Sequence, residues 1–373
     1  MRDVETEAAC GPKGSDYQPG PSPAERSKPA ICGCSPASPQ AANDSSDNCI
    51  RPTTSTLTVA DRLDHFLARW AIRRSEHRID PGLYALGNPT ASSPVFVTAN
   101  YTLSFDTLRA ALAGIDGYIL ALDTRGINVW CAAGKGIFGT DELVQRVETT
   151  RLRDIVAHRL LILPQLGAPG VAAHEVKKRS GFKVEYGPVR AADLPQYLKN
   201  HQATPEMRRV RFDLVDRLVL IPVELVLALL PMFIAAVVTF FLGGPLASAS
   251  AIAAFLAGTV LFPILLPWLP TSDFSTKGFI LGGIVALPFA LARLSLYPDV
   301  AWWIQAGNAL PYLLIWPAVT AFLTLNFTGS TTFTSRSGVR REIFTYIPVM
   351  AGMFALGFLG SIAFSLFGTL GGY

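Results

Sequence analysis

The chain has 373 residues, of which 50% are hydrophobic and only 16% charged, with a formal net charge of +4. That composition is too apolar for an ordinary globular protein of this length, and the small positive excess, with no basic stripe interleaved by aromatics, excludes nucleic acid as the expected partner. The apolar excess is concentrated at one end: only nine charged residues fall within 218–373.

Residues 1–55 are rich in Pro, Ser, Gly, Ala and Asp without apolar periodicity. Such a segment buries too little surface to offset its chain entropy and is expected to be disordered. It shows no basic stretch leading into an apolar core, so no secretory signal is expected. Four of the five cysteines (Cys10, Cys32, Cys34 and Cys49) lie here, and Cys131 stands alone. The odd count and the crowding argue against a disulfide framework and for a reducing compartment. The spacing matches neither a zinc ribbon nor an iron–sulfur run, which leaves incidental thiols or a soft-metal relay.

A first helix is predicted from Thr58, which with Asp61 has capping-box spacing; Leu63, Phe66, Leu67 and Trp70 would form its apolar face. A cytoplasmic α/β domain over 56–205 follows. Its strands are read at Val95–Thr98, Tyr118–Leu122, Leu160–Leu163 and Phe182–Tyr186, and its helices at Phe105–Ala113, Thr140–Ala157, Val171–Arg179 and Ala191–Leu198. Apolar strands alternating with helices imply a mostly parallel, Rossmann-like sheet, with ligands beyond the carboxyl ends of the strands. Three loops fall there: 98–101, 123–135 and 165–170.

From 206 to 373 a transmembrane domain of five helices is expected, at 218–242, 246–268, 278–297, 301–325 and 343–369, each near the ~20 residues a crossing requires. Arg208, Arg209, Arg211, Arg217, Lys277, Arg336, Arg340 and Arg341 flank these spans on one side. The positive-inside bias therefore puts the α/β domain in the cytoplasm, in the inner membrane of the cell, and the C-terminus outside. Glu224 reads as an interfacial residue snorkelling or pairing with arginine, or as a polar site within the bundle. The polar 326–340 loop reads as a docking element or a solvated connector.

Cys131 lies in the run Asn128-Val129-Trp130-Cys131-Ala132-Ala133-Gly134-Lys135. A thiolate is a soft, strongly donating metal ligand, and small neighbours would let a backbone approach a flat ring. The competing reading is a buried structural cysteine. His174 reads as structural or solvent-facing. The Gly-Ala-Pro-Gly stretch 167–170 suits either an ordinary turn or backbone amides presented at a helix N-terminus.

The same octapeptide, preceded by Leu122-Asp123-Thr124-Arg125-Gly126, resembles the signature of the HgcA-type mercury-methylation corrinoid proteins. Their corrinoid domain is related to that of the corrinoid iron–sulfur protein of the acetyl-CoA pathway. The resemblance extends to Val97-Thr98-Ala99-Asn100-Tyr101, to Leu163-Pro164-Gln165-Leu166-Gly167-Ala168-Pro169-Gly170-Val171 and to Gly181–Pro188, and covers about residues 80–200. It implies a base-off, cobalamin-type corrinoid whose cobalt has the Cys131 thiolate as lower axial ligand. It also implies a cofactor bed of Thr98, Asn100, Tyr101, Asp123, Thr124, the octapeptide Asn128–Lys135, and Gln165–Val171.

The implied activity is a corrinoid-dependent methyltransferase acting on Hg(II), held as a thiolate complex, to form methylmercury. A thiolate donor would favour delivery of methyl as a carbanion or radical equivalent. The implied partners are a methyltetrahydrofolate-type methyl donor and a ferredoxin-like protein with two [4Fe–4S] clusters as electron donor. This chain lacks the four-cysteine cluster motif of the iron–sulfur methyl carrier, so electrons would come from that partner. Two alternatives stay open: a membrane-tethered corrinoid methyl carrier of one-carbon metabolism, and a non-catalytic membrane thiol protein that binds soft metals.

Overall fold

A computed structural model describes residues 50–373 except 74–75, 297–300, 332–335 and 371–373. The N-terminal cysteines and most of the predicted leader lie outside the described residues. The last leader residues do not match the expectation of disorder, because Arg51–Thr53 forms strand β1 at the sheet edge. Helix α1 (Val59–Arg69) begins at the predicted capping box: the Asp61 amide donates to Thr58 Oγ1 at 3.2 Å, and the Thr58 amide to Asp61 Oδ2 at 2.8 Å.

The domain continues through β2 (Gly82–Leu86), β3 (Val95–Ala99), α2 (Thr102–Ala111), β4 (Gly117–Leu122), α3 (Val129–Gly134), α4 (Thr140–Thr149), α5 (Leu152–Ile155), β5 (Leu160–Leu163), α6 (Ala173–Ser180), β6 (Lys183–Tyr186) and α7 (Leu194–Asn200). The sheet order is β1-β2-β4-β3-β5-β6. All four predicted strands are present and mutually parallel, from β4 through β3 and β5 to β6. The sheet is nevertheless mixed, because β2 runs antiparallel to β4 with Tyr84 opposite Ile119. Every residue of β3 and β4 is buried, as continuous apolar strands covered on both faces must be. The predicted 140–157 helix is interrupted at Arg151, whose φ of 49° turns the chain between α4 and α5.

α1 faces the other way from its sequence reading. Leu63 and Phe66 are 57% and 54% exposed, and the face turned toward the domain carries Asp61, His65 and buried Ala68. The cause is a buried polar hub on α2. The Arg109 guanidinium donates to Asp106 at 2.6 Å, to Asp61 at 2.7 Å, and to the Thr54 and Thr56 carbonyls at 2.8 Å each. His65 Nε2 lies 2.7 Å from Asp106 Oδ2. A guanidinium buried to this degree needs acceptors, and α1 supplies them with its polar side. Burial opposes ionisation of Asp61, but the Thr58 amide and Arg109 together hold its carboxyl below the usual range.

Past α7 come α8 (Leu214–Leu218), α9 (Ile221–Leu256), α10 (Phe262–Leu265), α11 (Phe274–Ser295), α12 (Trp302–Phe327) and α13 (Arg336–Leu370). Among the described residues, four helical runs are long and apolar enough to cross a membrane, where five spans were read from sequence: Leu214–Leu265, Phe274–Ser295, Trp302–Phe327 and Ser337–Phe364. The first run has 52 residues and takes in both of the first two predicted spans. It is broken where Gly244 leaves the helix (φ 74°, ψ −168°) just before Pro245. The glycines of the third predicted span let α11 and α12 touch. A Cβ on Gly278 would stand 2.5 Å from Ala321 Cα, and one on Gly282 2.7 Å from Pro317 Cα. Small residues four apart are the usual means of close helix approach in lipid. Thr324 Oγ1 ties α12 to the Phe274 carbonyl at 3.0 Å, and Thr320 Oγ1 to the Ala254 carbonyl at 3.1 Å. The predicted 326–340 loop is helical at both ends, since α12 reaches Phe327, a short 3-10 turn covers Thr328–Ser330 and α13 starts at Arg336, while 332–335 lie outside the described residues.

Candidate functional site

The site grows from the carboxyl ends of β3 and β4. Asn100, 2% exposed, follows β3 and binds the chain leaving β4. Its Oδ1 accepts from the Thr124 amide at 3.0 Å and the Gly126 amide at 3.1 Å, and lies 2.9 Å from Thr124 Oγ1. Its Nδ2 donates to Asp123 Oδ1 at 3.3 Å. Thr124 is fully buried. Arg125 and Gly126 then turn the chain through φ of 58° and 71°. Asn100 and Thr124, expected at the cofactor face, therefore spend their polar atoms holding two strand ends together. Asp123 is exposed and its amide is taken by Glu142 Oε1 at 2.8 Å.

That turn delivers Asn128, whose Oδ1 accepts the Cys131 amide at 2.9 Å and caps α3. An Asn cap satisfies one of the orphan amides of a helix start and fixes the first turn. Cys131 thus sits in that turn, half-buried, on the outward side with Trp130 and Gly134, and Lys135 beyond them is exposed. Val129, Ala132 and Ala133 point into the domain core. The small size of Ala133 also lets the helix lie on the 165–170 segment. A Cβ on Gly170 would stand 3.0 Å from Ala133 Cα, and one on Gly167 2.6 Å from the Phe138 ring.

The 165–170 segment also departs from its sequence reading. Gln165–Gly167 is a short turn of helix, and α6 begins at Ala173 instead of Val171. The amides expected to be open are used: Gly167 donates to the Pro164 carbonyl, Ala168 to Gln165 and Gly170 to Gly167, at 2.9–3.1 Å. Burial pushes the Tyr186 phenol up, so it stays a donor, and it binds the Val171 carbonyl at 2.6 Å. Gln165 and Leu166 are half-buried, and Gln165 Oε1 accepts from Arg208 at 3.1 Å. Ala168 is half-buried and Pro169 exposed on the same segment, and Tyr101 is the half-buried residue before α2. His174 is solvent-facing at 82% side-chain exposure.

A cavity of about 510 Å³ opens between the ends of β3 and β5, where the chain's helices depart to opposite faces of the sheet. Of the predicted residues, Thr98, Asn128, Val129, Trp130 and Leu166 line it. Ser104, Thr107 and Leu108 of α2 line it too, at helical spacing behind β3, a signal the sequence carried once β3 was identified. Pro188, Val189 and Asp216 complete it. No local pattern could have placed Asp216 there; it arrives on α8, where it pairs with Arg190 at 2.7 Å.

Among the described residues no three His, Cys, Asp or Glu side chains gather to hold a metal. The arrangement therefore offers one half-buried thiol on an outward helix face beside a largely apolar cavity. Such a site suits a metal that brings its other ligands with it.

A family model described as CO dehydrogenase/acetyl-CoA synthase delta subunit matches residues 70–198. Over 128 residues the chain is 33% identical to acetyl-CoA decarbonylase/synthase complex subunit gamma of Methanopyrus kandleri, covering 34% of this chain and 27% of that one. It is 31% identical over 130 residues to the subunit of that name from Archaeoglobus fulgidus, with 34% and 27% covered. The chain thus spans about a quarter of the length of the curated relatives it matches. The matched stretch contains the Asn100 clamp, α3 and every residue lining the cavity except Asp216, and it stops before the apolar helices.

Proposed function

We propose that this chain is a membrane-anchored corrinoid protein that carries a methyl group, and that its acceptor is Hg(II). The observation that carries the reading is the half-buried Cys131 thiol, fixed by the Asn128 cap beside the cavity at the carboxyl edge of parallel strands. The similarity of residues 70–198 to acetyl-CoA synthase subunits supports the cofactor class. A bound corrinoid supplies a metal centre that accepts a methyl group from one partner and gives it to another. Cys131 would hold that centre through its sulfur, a soft, strongly donating ligand. Trp130 and Val129 line the adjoining cavity, which would receive part of the cofactor. Ala133 against Gly170 keeps the thiol-bearing helix at fixed height over the sheet.

In this reading a methyltetrahydrofolate-type compound supplies methyl, a ferredoxin-like protein with two [4Fe–4S] clusters supplies electrons, and Hg(II) arrives as a thiolate complex. The two halves of Leu214–Leu265 are separate crossings, which makes five spans. The basic residues beside them hold the α/β domain on the cytoplasmic side. A second reading is favoured by the subunit names of the relatives: a tethered methyl carrier of one-carbon metabolism, with another acceptor.

The test is mercury methylation in cells that supply the electron partner, combined with visible spectra of the purified full chain after corrinoid reconstitution. Wild type is expected to bind corrinoid and methylate Hg(II). Cys131→Ala is expected to lose methylation and to shift the cofactor spectrum. A chain that takes up no corrinoid overturns both readings; corrinoid uptake without Hg(II) methylation leaves only the carrier.

A further inference from the structure

α1 is an amphipathic helix turned inside out. Val59, Leu63 and Phe66, spaced four and three residues apart, form one stripe and are 84%, 57% and 54% exposed. Trp70 continues the stripe, its ring 5.8 Å from that of Phe66, and Ile72 in the following turn is 46% exposed. Arg62 and Arg69, two turns apart, stand exposed along one flank. The helix cannot roll to hide this stripe. Asp61 is held by Arg109, His65 by Asp106, and Asp64 by His77, all on the opposite side. His77 also binds the Ile72 carbonyl at 2.7 Å and fixes the turn that presents Ile72.

We propose that this stripe rests on the surface of an anionic bilayer, with its apolar side chains at the headgroup boundary and Arg62 and Arg69 on lipid phosphates. An apolar stripe beside arginines is the composition of an interfacial helix. The bilayer is supplied by the chain itself, so the inference rests on the apolar runs being membrane-spanning. α1 packs on α2, and α2 shares its face of the sheet with the Ala191–Asp193 turn. The adjoining Arg190 pairs with Asp213 at 3.1 Å and Asp216 at 2.7 Å, where the first apolar run begins. The stripe and the entry into the membrane therefore belong to one side of the domain.

The test uses the full chain in phosphatidylcholine nanodiscs containing about one-quarter phosphatidylglycerol and a diazirine-bearing phospholipid, with labelled peptides mapped by mass spectrometry. Label is expected in the peptide spanning 59–73. It should fall at least about fivefold in Leu63→Asp/Phe66→Asp, and also when phosphatidylglycerol is omitted or in Arg62→Glu/Arg69→Glu. Because these side chains are exposed, the variants leave the core intact. α11 is the internal control. If α11 is labelled and the 59–73 peptide is no more labelled than exposed α6, the proposal is overturned while the membrane reading stands; an unlabelled α11 overturns both. Label that appears on 59–73 only after removal of residues 1–49 assigns the stripe to the leader and also overturns the proposal.

Discussion

Gly170 and Ala133 meet backbone to backbone: a Cβ added at Gly170 would lie 3.0 Å from Ala133 Cα and still closer to the Phe138 carbonyl oxygen. Neither neighbour is a flexible side-chain end, so the contact cannot relax cheaply. Gly170→Ala is expected to lower stability by about 1–3 kcal/mol, as overpacking does. Thermal unfolding of the detergent-solubilised chain reads this, with Gly136→Ala as a comparison whose Cβ meets nothing within 4 Å. Gly136→Ala carries only the backbone strain of a φ of 77°, whereas Gly170 has no such φ, so the loss at Gly170 reports the contact itself.

Asn100 predicts a graded series. Asn100→Leu strands the amides of Thr124 and Gly126 in the interior and is expected to cost about 2–4 kcal/mol, from the usual penalty of unpaired buried donors. Asn100→Asp keeps the acceptor but sets a carboxylate beside Asp123, so a smaller loss is expected at neutral pH. Denaturant midpoints of the three proteins should fall in the order Asn, Asp, Leu. If Asn100→Leu is as stable as wild type, the clamp is not needed to hold α3.

His77 makes the attachment of α1 pH-dependent. Its Nδ1 lies 2.7 Å from Asp64 Oδ1 and its Nε2 2.7 Å from the Ile72 carbonyl; both partners are acceptors, so both nitrogens donate and the ring is an imidazolium. Burial, the largest influence, favours the neutral ring, but the Ile72 carbonyl and the Asp64 carboxylate outweigh it and raise the value above 6.5. A group raised on folding contributes stability that is complete below its unfolded value and lost as pH climbs through the folded one. The unfolding temperature of wild type should therefore decline, relative to His77→Gln, as pH rises above 6.5 through the raised folded value. Parallel curves for the two proteins would remove this role.

α11 and α12 depend on having no side chain at two positions. Gly282→Leu would drive side-chain atoms into Pro317 and Thr320, whereas the adjacent Gly283 faces open space. Gly282→Leu is expected to cost about 1–3 kcal/mol or more and to broaden unfolding. Gly283→Leu should leave the bundle unchanged by the same measurement.

The four parallel strands were legible because each is a continuous apolar run, and the capping box at Thr58 because its two partners are local. β2 was missed: Gly82–Leu86 is short, sits beside turn residues, and gains its identity only by pairing antiparallel with β4. The orientation of α1 was misread because its periodicity is helical in either direction. What decides its facing is Arg109, about fifty residues away, whose burial no local window reveals. Cys131 could be singled out from its neighbours, but the reason for those neighbours could not. Ala133 is matched to Gly170 and Phe138 to Gly167, a fit that exists only once two distant loops are brought together. The break at Gly244 was foreshadowed by Gly243-Gly244-Pro245, although the helices on either side form one unbroken apolar run.

Asp216 has a consequence for any molecule that enters the cavity. The carboxylate belongs to α8, the short helix leading into the first apolar run, yet it forms part of the wall of a pocket otherwise built by the sheet domain. A ligand that fills the pocket binds with an affinity that depends on the posture of α8. By thermodynamic reciprocity, its arrival biases that posture by the same free energy. The cavity and the helix that leads into the first apolar run therefore share one carboxylate, so whatever occupies the first is coupled to the second only as strongly as it interacts with Asp216.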